Sequence, residues 1–149
     1  MIRPRRLVIL MARWPAAARC KRRLAVGLGA VRAAAVQRRL QAHALAVVQQ
    51  SSPQLGCDSW LALDGAGCRA GRRLLAPAAI TLVRQGHGDL GLRMQRQLGR
   101  AFGLGYGQVV VLGTDLPQLC CSDLQQAFAA LEASPVVLGP ASDGGYWLL

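Results

Sequence analysis

The sequence predicts an α/β fold: three layers, α/β/α, around a mostly parallel sheet, in a single domain covering residues 1–149. Three observations predict it. Continuous apolar runs of strand length recur along the chain, and such runs suit parallel strands covered on both faces. Segments with helical spacing fall between them, and that alternation builds a parallel sheet. Loops rich in glycine, proline and charge follow several of the runs, where ligands sit in sheets of this kind.

The elements follow in order. Leu7-Val8-Ile9-Leu10-Met11 is a first buried strand, followed by a polar, basic loop from Arg13 to Arg23. Residues 31–49 read as a helix with an apolar stripe of Val36, Leu40, Ala44 and Val47, and with Arg38, Arg39 and Gln41 directed away from it. Ser51 to Gly56 reads as a turn-rich break. Trp60 to Leu63 is a second strand ending at Asp64, Gly65 to Arg73 a loop, and Ile80 to Val83 a third strand. Gly86-His87-Gly88-Asp89 is a tight loop before a helix from Leu90 to Phe102, which Gly103, Gly105 and Gly107 end. Val109 to Leu112 is the clearest strand. Ser122 is expected to cap the next helix, with Gln125 completing a capping box and Leu124, Phe128 and Leu131 facing the core. Val136 to Leu138 is expected as the last strand.

Composition narrows the function classes. The chain is 52% hydrophobic and 17% charged, which excludes disorder as its main state. No apolar run approaches the roughly 18–20 residues of a membrane helix, and Leu7 to Ala12 is too short for a signal-peptide core. A cytoplasmic protein without membrane insertion is expected. The net charge is +11, and residues 1–57 contain no acidic residue at all. The remainder balances to zero, so an anionic ligand is expected at the first third: a phosphate ester, a nucleotide or a nucleic acid. An arginine-rich coding bias on a solvated face explains the same charge. Cys20, Cys57, Cys68, Cys120 and Cys121 are odd in number and form no C-x-x-C. Neither a disulfide framework nor a zinc site is expected.

Four loops carry chemistry. Arg13 to Leu24, between a strand and a helix, offers Lys21 and arginines to phosphate oxygens, although it lacks the Walker A pattern. Gln85 to Gly91 matches G-x-G-x-x-G and invites a nicotinamide or flavin site with Asp115 as the ribose carboxylate, but the match falls after the third strand rather than the first and is the lesser reading. Its plain reading is a glycine turn with Asp89 at a helix start. Gly113-Thr114-Asp115-Leu116-Pro117 and Asp143-Gly144-Gly145-Tyr146 place one carboxylate each beyond an apolar run. Two such carboxylates can share Mg²⁺ or Mn²⁺, which takes oxygen ligands and bridges to phosphate. His43 reads as structural, His87 as a weak ligand candidate, and no Ser/His/Asp or Cys/His arrangement is legible.

Together the four loops resemble the bacterial DUF2064 proteins, a glycosyltransferase family associated with arsenosugar biosynthesis and similar to phospholactate guanylyltransferase. The first pattern is matched by Pro15, Lys21, Arg23 and Leu24, with Arg13 in place of the first lysine. The second is matched by Gln85, Gly88, Asp89, Leu90, Gly91, Arg93 and Met94, the third by Gly113, Asp115 and Pro117, and the fourth by Gly139 to Tyr146. The resemblance covers essentially the whole chain. It implies a nucleotide-diphospho-sugar transferase (GT-A) fold and a metal-dependent transferase acting on a nucleotide-activated donor. Lys21 and Arg23 would hold donor phosphates and, with Asp115, form the catalytic set. Arg13, Gln85, Gly88 and Asp89 would lie at the nucleotide, and Asp115 and Asp143 would bind Mg²⁺ or Mn²⁺.

The sequence departs from the family where Ala18 replaces a glycine and Arg22 a threonine; if the former position needs positive φ, alanine there is strained. Family members also continue past the last motif into an acceptor-binding part, which makes a C-terminal truncation the expectation for a chain ending at Leu149. Glycosyl transfer from a nucleotide-sugar to an unidentified acceptor is the leading reading. Nucleotidyl transfer from a nucleoside triphosphate is the second. RNA binding by the basic third, and an inactive GT-A-like module kept for protein contacts, are further alternatives.

Overall fold

The computed structural model describes residues 4–17, 21–65 and 79–149. Ala18, Arg19, Cys20, Cys68 and most of the loop expected from Gly65 to Arg73 lie outside these residues. The described residues form six strands and four helices. They are β1 (Arg5–Arg13), α1 (Arg22–Leu28), α2 (Ala30–Leu55), β2 (Cys57–Asp64), β3 (Thr81–Arg84), α3 (Leu90–Gly103), β4 (Tyr106–Gly113), α4 (Cys121–Ala133), β5 (Gly139–Pro140) and β6 (Tyr146–Leu148). The strands make one sheet in the order β3-β2-β1-β4-β6-β5.

The first apolar run becomes the central strand. Ile9 pairs with Trp60 on one side and Val111 on the other, both in parallel. Alternate residues of β1 serve opposite faces, as the two-residue period of a strand requires. Val8, Leu10 and Ala12 pack with Leu61, Val110 and Leu112 under Ala44, Leu45 and Val48 of α2 and Leu124 and Phe128 of α4. Leu7 and Ile9 pack with Trp60, Ala62, Val83 and Val111 on the other face, under Ala101, Met94 and Leu98 of α3. The three-layer arrangement and the mostly parallel sheet are therefore as expected.

Four expectations are corrected. The turn expected at Ser51 to Gly56 is the last turn of α2 through Leu55, ended by Gly56 in the left-handed conformation (φ 59°). Ser51 and Ser52 bond back to the carbonyls of Val47 and Val48, which spends their hydroxyls inside the helix. The buried face of α2 is also rotated from the expected stripe. It comprises Ala33, Ala34, Gln37, Gln41, Ala44, Leu45, Val48 and Ser51, because small side chains let the helix sit close to the sheet. Gln41 is thus buried rather than solvent-facing.

Ser122 is not the cap of α4. Cys120 holds that position, and the Asp123 carboxylate accepts from its main-chain N–H at 2.9 Å. Finally, Val136 to Leu138 is not a strand. Val136 and Leu138 are more than half exposed, because the place beside β4 is taken by the antiparallel β6, whose Leu148 lies opposite Leu112. The backbone of Leu149 continues this edge through reciprocal hydrogen bonds with Val111.

The buried Gln41 amide has no hydrogen-bond partner among the described residues. An unpaired buried polar group costs about 1–3 kcal/mol. Gln41→Leu is therefore expected to raise the melting temperature by about 2–6 °C, read by a simple thermal melt. Among the described residues no helix is long and apolar enough to cross a membrane.

Candidate functional site

Parallel pairing brings the carboxyl ends of the strands level. Arg13 of β1 lies opposite Asp64 of β2, and Met11 opposite Gly113 of β4. Beyond these ends lies an open cavity of about 830 Å³. Its lining includes Arg13, Lys21, Gln37, Asp115, Asp143 and Tyr146. Four expected site residues, from loops far apart in the sequence, therefore share one cavity: Arg13, Lys21, Asp115 and Asp143. Arg23, Gln85, Gly88 and Asp89 do not line it.

Lys21 and Asp115 are joined directly. The Lys21 ammonium donates to both carboxylate oxygens of Asp115, each at 2.7 Å. Lys21 also has positive φ (47°), a conformation that costs an ordinary residue about 1–2 kcal/mol. Ala18, where the resemblance raised the question of strain, is outside the described residues; the described left-handed residue of this loop is Lys21. The side chain of Lys21 is mostly covered, whereas that of Asp115 is 64% exposed. An ion pair with so exposed a member stabilises the fold by only about 0–1 kcal/mol. Such a contact yields readily to a stronger ligand for either group.

Asp143 sits in the turn before β6, where its carboxylate accepts from the Gly145 N–H at 3.0 Å. Among the described residues the other carboxylate oxygen accepts no such bond, so the group keeps acceptor capacity at the cavity it lines. Thr114 is buried, and its hydroxyl is contacted by the Gln37 amide at 3.4 Å, which ties α2 to the loop carrying Asp115.

The glycine-rich loop ties the strand ends together. Gln85 is buried, and its amide nitrogen donates to the carbonyls of Ala12 and Ala62, both at 2.9 Å. It thus staples the carboxyl ends of β1 and β2. Arg93 donates to Asp64 at 2.9 Å, to Gln85 at 3.3 Å and to the Gly88 carbonyl at 2.7 Å. Arg96 holds the carbonyls of Gln85 and His87. Gly86 (φ 81°) leaves room for that guanidinium, which a Cβ there would strike. Asp89 caps α3 by accepting from Leu92 N–H, the plain reading of this motif. Arg23 is exposed in the first turn of α1.

Asp64 was missed as a functional candidate. Its carboxylate lies between Arg93 and Arg13, the latter at 3.7 Å, and so orients one wall of the cavity. Its signal was the same as that of Asp115: a carboxylate at the end of a buried strand. Shifted titrations are found at the opposite, amino-terminal ends of the strands. Burial pushes the Tyr106 phenol up, aided by its hydrogen bond to Asp58, and burial raises the Cys57 thiol.

Among the described residues no three His, Cys, Asp or Glu side chains gather into a metal-binding group. A magnesium ion, however, is commonly held by one or two carboxylates and completed by substrate phosphates and water. Asp115 and Asp143 on one cavity fit that pattern, provided Lys21 releases Asp115.

No curated protein matches the chain. A crystal structure from Desulfovibrio desulfuricans G20, described provisionally as a nucleotide-diphospho-sugar transferase, superposes with a TM-score of 0.82 at 27% identity. The match covers 96% of this chain and 61% of that one, so this chain spans less than two thirds of that protein's length. The fold is thus that of a nucleotide-diphospho-sugar transferase. Residues 47–149 match the family model described as "Uncharacterized protein conserved in bacteria (DUF2064)", and on that match the chain belongs to the DUF2064 family.

Proposed function

We propose that the cavity binds the phosphates of a nucleotide-sugar and that the chain is the donor-binding part of a metal-dependent glycosyltransferase. The observation that carries this reading is the convergence of Lys21, Asp115 and Asp143 on one cavity at the carboxyl ends of parallel strands. The likeness to a provisionally described nucleotide-diphospho-sugar transferase supports it.

Asp115 and Asp143 would hold Mg²⁺ or Mn²⁺; when bound, the ion offsets negative charge developing on the donor phosphates. Lys21 would turn from Asp115 to a phosphate oxygen, exchanging one anion for another at little cost because the resting pair is weak. Arg13, at the cavity rim, adds a second cation, and Arg23 in α1 lies within the same basic segment. The sugar carbon–oxygen bond to the phosphate breaks, its electrons leave with the nucleoside diphosphate, and an acceptor nucleophile forms the new bond. Fixed cations placed where that charge develops lower the barrier.

A melting screen with nucleotide-sugars and bare triphosphates, each with and without Mg²⁺ or Mn²⁺, tests the reading. A ligand at a hundredfold excess over its Kd is expected to raise the melting temperature by about 5–10 °C. Metal-dependent stabilisation by one nucleotide-sugar supports glycosyl transfer. The same pattern with a triphosphate alone moves the assignment to nucleotidyl transfer, and no shift with any nucleotide rejects the donor site.

A further inference from the structure

We propose that the segment from Arg22 to Arg32 is a membrane-surface contact that seats the protein on anionic lipid headgroups. None of the residues of α1 is buried. A helix of seven residues is too short to hold itself in water, and this one gains little by packing. It nevertheless carries large apolar side chains. Val26 is 90% exposed, Leu28 44% and Leu24 36%, and Val31 at the start of α2 is 72% exposed. Four large apolar groups stand in water within a short stretch that has no buried residue of its own in α1.

The charges flanking these groups point to the partner. Arg22, Arg23 and Arg32 are exposed, and none has an ion-pair partner among the described residues. No acidic residue occurs in residues 1–57, and the excess positive charge of +11 lies in that part of the chain. Exposed apolar side chains interleaved with unpaired arginines are the pattern of segments that lie in a lipid interface: the apolar groups enter the headgroup boundary and the cations meet the anionic lipids. A nucleic acid would use the arginines and leave Val26 and Val31 in water. A second copy of the chain would bring two cationic surfaces together. The lipid surface is the partner that satisfies both kinds of group. This inference does not depend on the transferase assignment.

Co-sedimentation with phosphatidylcholine vesicles, with and without phosphatidylglycerol, tests it. The protein is expected to partition onto the phosphatidylglycerol vesicles and to leave pure phosphatidylcholine largely unbound. Val26→Ser with Val31→Ser is expected to weaken partitioning by about tenfold or more. Arg22→Gln with Arg32→Gln is expected to weaken it by about thirtyfold. Both variants change exposed residues, and an unchanged thermal melt confirms that they fold. Absence of vesicle binding overturns the proposal. So does vesicle binding that the valine pair does not affect, which indicates a plain polycation; tight binding to an RNA oligomer by the same variant then assigns the surface to nucleic acid. Self-association lost in the valine variant, without vesicle binding, assigns it to a second copy.

Discussion

Asp115→Ala is expected to abolish metal-dependent donor binding and to lower release of nucleoside diphosphate from the preferred nucleotide-sugar by about 10²–10³-fold. The fold should hardly notice. Asp115 is exposed on its loop, and its pair with Lys21 is worth about 0–1 kcal/mol to stability. The melting temperature without ligand is therefore expected to stay within about 4 °C of the parent. This separation of effects is the test: the ligand-induced shift disappears while the unliganded melt remains. Donor affinity and turnover equal to the parent in a well-folded Asp115→Ala protein would remove the carboxylate from the site and with it the proposed chemistry.

Gln85→Leu is expected to do the reverse and damage the fold first. The side chain is buried, and its amide nitrogen serves the carbonyls of two different strands while its oxygen meets Arg93. A leucine fills the volume but leaves the Ala12 and Ala62 carbonyls without this donor, at a cost of about 2–4 kcal/mol. The melting temperature should fall by about 5–15 °C. Gln85→Glu should be worse, because it directs a carboxylate at two carbonyl oxygens. A Gln85→Leu protein that melts like the parent but loses donor affinity would instead place Gln85 at the nucleotide, as the family resemblance implies.

The strands were legible wherever burial on both faces leaves a continuous apolar run, as at Leu7 to Met11 and Val109 to Leu112. The same rule failed at Val136 to Leu138, because an apolar triplet does not reveal whether another strand has already taken the adjacent edge. The α2 face was misread because Gln37 and Gln41 are polar by type yet buried by position, and only the sheet beneath them decides that. In the site, Asp115 and Asp143 were legible as carboxylates following apolar runs, and their sharing of a cavity follows from topology. The support was not legible. Gln85 reaches Ala12 across 73 positions and Arg93 reaches Asp64 across 29, and no local spacing records such partners. Lys21 was read as a phosphate ligand from its loop; its resting contact with Asp115, 94 positions away, needed three dimensions.

The central place of β1 has a consequence for how the chain acquires its shape. Ile9 must wait for Trp60 to cover one edge and for Val111 to cover the other, and Leu112 must wait for Leu148. Each partner emerges from the ribosome later than the last, so the strand made first keeps an open edge until β4 has been made. Pairings this distant close slowly, and an open apolar edge attracts other chains in the interval. Yield of the native form should therefore depend on how quickly synthesis reaches β4, or on a chaperone that shields β1 until it does. The contact between Lys21 and Asp115 forms at the same late moment, because Asp115 lies just beyond β4 and can meet Lys21 only once that strand has docked against β1, and the cavity is completed later still, when Asp143 and Tyr146 arrive.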